Sequence, residues 1–224
     1  MSEVVKRRAY YVDGRRTQGA TTRSAVLTAA RELFLANGYA RTSIPAVARA
    51  AGVSPELIYK TFGPKSALLK AIFDVSVVGD DDPVPLEERD LVKRIVAADD
   101  GAHIIATYAA YVAETQERAA PISLLARQAA AADPDAADIW EQMNAERLTG
   151  MHRLASDLHR KHLLRKGMSV RKARDILWTY TSVELYELLV IRREWTVRLY
   201  REFVTKALSE ALIGTGSGSD TGPA

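Results

Sequence analysis

The sequence predicts an all-α protein in two parts, a small N-terminal domain built on three short helices and a larger C-terminal helical domain. Three observations predict it. Apolar residues recur at helical spacing along nearly the whole chain, with no strand–turn–strand alternation. Ala and Leu dominate and β-branched runs are few. The segment "VVGDDDPVPLEE" gathers Gly, three Asp and two Pro, which cannot continue a helix and so mark a boundary. The resulting division is a basic flexible arm at 1–20, a helical domain with its connecting helix at 21–78, a larger helical domain at 79–213 and a disordered Gly/Ser-rich tail at 214–224.

Each element has a local reason. Thr21 or Thr22 is placed to cap a first helix, where Val26, Leu27, Ala30, Leu33 and Phe34 form one apolar stripe closed by Asn37-Gly38. The second begins at Thr42 or Ser43, tolerates Pro45 in a first turn whose N–H groups lack intrahelical acceptors, and ends at Gly52. The third starts with Ser54 as cap and Pro55 at the first helical position, and runs to about Thr61. "GPK" breaks the chain, and a connecting helix follows from Ser66 to about Val75. Beyond the boundary the pattern gives helices near 86–97, 100–117, 121–131, 135–163, 169–193 and 195–212, separated in part by "ADPD" and "RKGMS". No repeat of 20–50 residues is present, which argues against a solenoid.

Composition narrows the function classes. The 224 residues suffice for a sizeable core, and with no cysteine there is neither a disulfide framework nor a thiolate metal site. The N-terminus lacks the apolar run of a secretory signal, and "AHIIATYAAYVA" falls short of the roughly 18–20 residues of a membrane span. The expectation is a soluble cytoplasmic protein. Residues 1–75 carry twelve Lys/Arg against five Asp/Glu, while 76–224 carry nineteen against twenty-three. A basic head on an acidic body points to a polyanion at one end only. No Gly-rich phosphate loop, nucleophile elbow or spaced His/carboxylate motif supports an enzyme.

Residues 42–62 meet the requirements of a helix-turn-helix. Counted from Ile44, a small residue (Ala48) stands fifth, where two helices cross. Gly52 is ninth, in the turn, and Ile58 is fifteenth, as the inward plug, with Val47 and Val53 as apolar neighbours. The second helix then presents Ser54, Pro55, Glu56, Leu57, Tyr59 and Lys60. In a major groove, Pro55 and Leu57 suit thymine methyls, Glu56 a cytosine amine, and Lys60 guanine acceptors or a phosphate. Thr42, Ser43, Tyr59 and Lys65 suit phosphate oxygens. Lys6, Arg7, Arg8, Arg15 and Arg16 of the arm either track phosphates or remain a solvated tail.

The run "AARELFLANGYARTSI", then "AGVS" and "IYKTFGPKSALL", resembles the N-terminal domain of TetR-family transcriptional regulators across about 50 residues, a quarter of the chain. The resemblance implies a homodimer that binds a palindromic operator on double-stranded DNA, usually as a repressor, and a small-molecule effector in the C-terminal domain that changes the spacing of the recognition helices. It implies contact roles for Thr42, Pro55, Glu56, Tyr59, Lys60 and Lys65. Two positions depart from the family pattern: Thr61 stands where His or Tyr is frequent, and Glu56 where Gly or another small residue is.

In the C-terminal region His103, Tyr108, Tyr111, Arg127, Trp140, Met143 and Trp178, with Tyr180 and Tyr186, are the candidates to line an effector pocket, and ordinary core packing is the competing role for each. His152, His159 and His162 fall on one predicted helix, and without other ligands they read as flank residues beside a Leu148–Met151–Ala155–Leu158 stripe rather than a metal site. No cofactor is expected. The last two helices are apolar on more than one side, from Ile176 to Ile191 and from Tyr200 to Ala211, which predicts a four-helix dimer interface. The competing function is a helical dimer that binds a ligand or partner protein without sequence-specific DNA binding.

Overall fold

The computed structural model describes residues 3–82, 84 and 88–213, with side chains from Gly19 onward. The expected tail at 214–224 and the side chains of Lys6, Arg7, Arg8, Arg15 and Arg16 lie outside the described residues. Among those described, every regular element is helical, apart from an isolated bridge between Leu164 and Ile213. The fold is all-α, with a helix-turn-helix near the N-terminus and a larger helical C-terminal region.

The helices are α1 (Glu3–Asn37), α2 (Ile44–Ala51), α3 (Pro55–Phe62), α4 (Lys65–Val78), α5 (Asp90–Ala97), α6 (Gly101–Ala130), α7 (Pro134–Arg160), α8 (Val170–Tyr180), α9 (Val183–Tyr186) and α10 (Val197–Leu212), with a π-helical segment Glu187–Ile191 directly after α9. They form two compact units. One comprises Met1–Ser76 and Pro121–Trp140, the other Val77–Ala120 and Glu141–Ala224, so the divisions fall inside α6 and α7.

In the first unit the stripe on α1 buries Val26, Leu27, Ala30 and Phe34, and α2, α3 and α4 add Ile44, Val47, Ala48, Ile58, Leu68, Leu69 and Ile72. Each large aliphatic or aromatic side chain removed from water contributes about 1.5–3 kcal/mol. Helices of eight residues, as α2 and α3 are, do not hold alone in water. This shared core is what keeps them folded.

The second unit has its own core. Tyr200, Val204, Leu208 and Leu212 follow at spacings of four along α10 and are fully buried, as are Ile104, Ile105, Leu158 and Leu177. At its start, Arg89 donates through Nη1 and Nη2 to the two carboxylate oxygens of Asp80 at 2.7 and 2.8 Å. This fork holds the Asp80 carboxyl down at about 2, chiefly through the Arg89 hydrogen bonds. A carboxyl held below its unfolded value stabilises the fold above that value and stops doing so as pH falls through the folded one. Asp80→Asn should therefore lower the melting temperature at neutral pH, and the gap to wild type should close as pH falls from about 4 towards 2. Melting curves across that window check it.

Three segments differ from the sequence expectation. α1 begins at Glu3, so Thr21 and Thr22 lie inside a helix rather than capping one. The straight-chain residues Lys6, Arg7, Arg8 and Gln18 are good helix formers and allow the extension. α6 continues through Pro121 instead of breaking there. A mid-helix proline costs about 3 kcal/mol or more, and here the burial of Ala119, Ala120, Ile122 and Ser123 on either side outweighs it. The single helix expected over 169–193 is divided: α8 stops at Thr181, and the Ser182 hydroxyl starts α9 by accepting from the Leu185 N–H at 3.2 Å. Adjacent Thr and Ser offer the backbone local partners that compete with a continuing helix.

Candidate nucleic-acid interface

The α2–turn–α3 pair is fixed at each end by local hydrogen bonds, to serine hydroxyls at the starts and from glycine N–H groups at the ends. Ser43 is extended, and its hydroxyl accepts from the Ala46 N–H at 3.3 Å. Gly52 closes α2 in the left-handed region at φ 68°, a conformation that disfavours any Cβ, and its N–H reaches the carbonyls of Ala48 and Arg49. Ser54 repeats the cap for α3, accepting from the Leu57 N–H at 3.2 Å, with Pro55 at the first helical position. Gly63 ends α3 with its N–H on the Tyr59 carbonyl at 2.9 Å. Ile58 is 0% exposed and locks α3 inward, while Leu57 is 40% and Tyr59 53% exposed. Glu56, Lys60 and Thr61 are exposed as well. The result is a short helix with one apolar anchor and a polar, aromatic outer face.

Glu56 sits at the α3 N-terminus. Its own backbone N–H and the Ser54 hydroxyl hold its carboxyl below the usual range. It is the one acidic group on the presented face, and DNA drawn to that face meets its charge. Glu56→Gln should raise affinity for random-sequence duplex several-fold and alter base preference at one half-site position, which competition binding against a random duplex reads directly.

The structure sorts the predicted contact residues. Ser43, Ser54, Glu56, Leu57, Tyr59 and Lys60 are exposed on the pair, and Pro55 is half-buried beside them. Thr42 is not on the surface. It is 3% exposed, and its hydroxyl proton is shared between the carbonyls of Gly38 at 2.9 Å and Leu33 at 3.1 Å. Thr42 therefore ties the end of α1 to the start of α2, and Ser43 is the hydroxyl left facing outward.

Lys65 is half-buried at the start of α4. Its ammonium donates to the Tyr39 carbonyl at 3.1 Å and lies 4.0 Å from the centre of the Tyr39 ring. One of its three N–H donors is engaged, and two remain for a phosphate. Tyr39 thus positions Lys65. Its ring stacks on Phe34 at 5.6 Å, and burial, followed by the charges of Asp133 and Asp135, pushes its hydroxyl up to about 12. The Arg23 guanidinium lies 4.7 Å from the Phe62 ring centre and braces the end of α3. The "GY" pair in the sequence was the available signal for Tyr39; nothing in the sequence signalled Arg23.

The effector candidates fall in two groups. Tyr108, Tyr111, Met143 and Trp178 belong to the second unit, with Met143 buried, and Arg127 and Trp140 to the first. His103 is exposed in the first turn of α6, so it faces solvent rather than an interior pocket. Burial pushes the Tyr108 hydroxyl up to about 12. Arg147, outside the predicted set, is half-buried, and its guanidinium lies 3.6 Å from the Trp178 ring centre. His152 and His159 are exposed on α7, whereas His162 lies beyond the helix end at φ 58°, so the three do not share a helix.

Fold and site together define a helix-turn-helix protein with a separate helical body. The sequence pattern of the bacterial regulatory proteins of the tetR family matches residues 26–72. The N-terminal helix-turn-helix part of the chain is thus similar in sequence to TetR-family regulators. The HTH-type transcriptional regulator UidR of Escherichia coli is 38% identical over 61 residues, which is 27% of this chain and 31% of UidR. The match thus spans about a third of that curated relative. Among solved structures, a TetR-family regulator from Rhodococcus sp. superposes with a TM-score of 0.67 at 15% identity, over 86% of this chain and 99% of its own. NalD, the secondary repressor of the MexAB-OprM multidrug efflux pump in Pseudomonas aeruginosa, gives 0.65 at 22% identity, over 88% and 98%. FadR from Bacillus subtilis, in complex with stearoyl-CoA, gives 0.64 at 16%, over 83% and 96%. At these identities the structural likeness is one of fold.

Proposed function

We propose that the chain is a ligand-responsive, DNA-binding transcriptional repressor that binds a palindromic operator as a homodimer and is released by a small, largely apolar effector. The observation that carries this reading is the outer face of α3, where Glu56, Leu57, Tyr59 and Lys60 stand exposed on a helix capped at both ends and anchored by Ile58. Residues 21–78 are the DNA-binding part, and 79–213 hold the effector and the partner subunit. Leu188, Ile191, Leu199 and Phe203 are exposed, and Phe203 gathers Trp195 and Tyr180 at 5.8 and 6.4 Å. Apolar side chains this large on one region favour a second copy of the chain as cover. NalD, a neighbour in fold, is described as a repressor, which agrees with the proposed sign of regulation. No helix among the described residues is long and apolar enough to cross a membrane, which is compatible with action at DNA in the cytoplasm.

Effector and operator then prefer different arrangements of the dimer, and each weakens the other's binding by the same factor. Selection of bound duplexes from a random DNA library tests the proposal. A palindrome with half-sites about one helical turn apart is the expected result. Binding without any recovered motif, lost at moderate salt, would falsify it and leave only a generic basic surface.

A further inference from the structure

We propose that the second unit takes an effector with an acidic head, a small apolar carboxylate whose oxygens pair with the Arg147 guanidinium and accept from the Tyr200 hydroxyl. This rests on the ligand-responsive reading above and narrows it to a chemical class.

Arg147 stands on the inner face of α7. Met143 and Met151, four residues to either side, lie on the same helical face and are both buried. A guanidinium on such a stripe calls for a counter-charge. Among the described salt bridges none involves Arg147, and the acid whose charge reaches it, Glu184, is an exposed residue. The guanidinium is held in place all the same: it lies over Trp178, and Nη1 donates to the Trp178 carbonyl at 3.1 Å. That engages one of five N–H donors in a rigid planar fork suited to a carboxylate.

The neighbouring polar groups complete the pattern. Tyr200 is 0% exposed, and its hydroxyl has no hydrogen-bond partner among the described residues, although buried hydroxyls nearly always have one. Its ring is set edge-on to Tyr186 at 5.1 Å. Tyr108 and Tyr200 both lie within range of the Arg147 charge. Burial raises both phenols, so at neutral pH they are protonated; the Tyr108 hydroxyl is hydrogen-bonded to Thr181, which leaves the Tyr200 hydroxyl as the donor for a ligand. Thr181, next to Tyr108, is already satisfied: its hydroxyl donates to the Leu177 carbonyl at 2.7 Å and its carbonyl accepts from Gln116 Nε2 at 3.0 Å. What remains unused is the rest of the Arg147 fork, the Tyr200 hydroxyl and a positive charge, which an anion satisfies and an amine does not. The two methionines supply an adaptable apolar surface for the rest of the molecule.

The test uses the full-length protein and three probes, decanoate, 4-phenylbutyrate and 2-naphthoate, each beside its primary amide and the amine of the same skeleton. Calorimetry and thermal shift are run on wild type, Arg147→Met, Arg147→Lys and Tyr200→Phe. At least one acid should bind wild type about tenfold or more tightly than its amide, with the amine weakest. Affinity for it should fall about a hundredfold in Arg147→Met and about tenfold in Tyr200→Phe, the range for hydrogen bonds to a charged group. Arg147→Lys keeps the charge without the fork and should fall between. Ligand-free Tyr200→Phe should melt no lower than wild type; a clear drop would reveal an internal partner for the hydroxyl and overturn the assignment. Binding of amides or amines as tight as acids, or of none of the acids, also overturns it. If amides or amines release operator DNA, the regulator reading stands and the acidic head falls. If acids bind through Arg147 but never affect DNA binding, the site stands and the regulator reading falls.

Discussion

Ile58→Ala should destabilise the first unit by about 2–5 kcal/mol, the range for trimming a buried large aliphatic side chain to alanine. Operator binding should be lost with it. Ile58 is 0% exposed and is the inward anchor of an eight-residue helix, so the cavity opens where α3 has no other large buried side chain of its own. The adjacent position supplies the control. Leu57 is 40% exposed, and Leu57→Ala should alter stability by no more than about 0.5 kcal/mol, as exposed substitutions usually do. Urea unfolding of both variants, with amide exchange across residues 42–62, separates a lost fold from a lost contact. Equal stabilities for the two variants would show that α3 is not held by Ile58.

Lys65→Ala should weaken binding to every duplex alike, by about tenfold or more if one hydrogen bond to a phosphate is lost, ~1.5–3 kcal/mol. The slope of log affinity against log salt should become shallower by about 0.9, the share of one neutralised phosphate. Because the Lys65 ammonium also donates to the Tyr39 carbonyl, stability has to be measured alongside. Lys65→Arg restores the charge and should recover most of the salt slope. A Lys65→Ala variant that changed only base preference would mean that Lys65 reads sequence rather than backbone. Tyr59→Ala, at a more exposed position, should act in the same direction with no effect on the fold.

The helix-turn-helix was legible because its requirements are local. A small residue at Ala48, a left-handed turn at Gly52 and two Ser-Pro or Ser-x-Pro starts are set by spacing alone. Which way a side chain turns at a junction is not local. A threonine ahead of a helix reads the same whether its hydroxyl faces water or, as with Thr42, the end of another helix. Arg147 was hidden for a related reason, since a charge within an amphipathic helix reads as solvent-facing until its neighbours Met143 and Met151 prove to be buried. The break between α8 and α9 was obscured by the apolar residues on both sides of Thr181-Ser182. The exposure of His103 was not legible because the phase of a long helix with apolar residues on most sides is ambiguous from its pattern.

The π-helical segment Glu187–Ile191 bears on how this chain tolerates changes of length. Its widened turn is closed by the Arg192 N–H on the Glu187 carbonyl at 2.9 Å, five residues back rather than four. A turn of this kind is an α-turn carrying one extra residue. Loss of a single residue within it lets the backbone relax to α-helical pitch, leaving α9 in phase and α10 with nearly its former approach. The same deletion in α8 would rotate everything after it by about 100°, one residue's turn of an α-helix. Between homologous chains, one-residue gaps should therefore collect at 187–191 and be scarce in α8, with Tyr200 and its neighbours kept in register on either side of the indel.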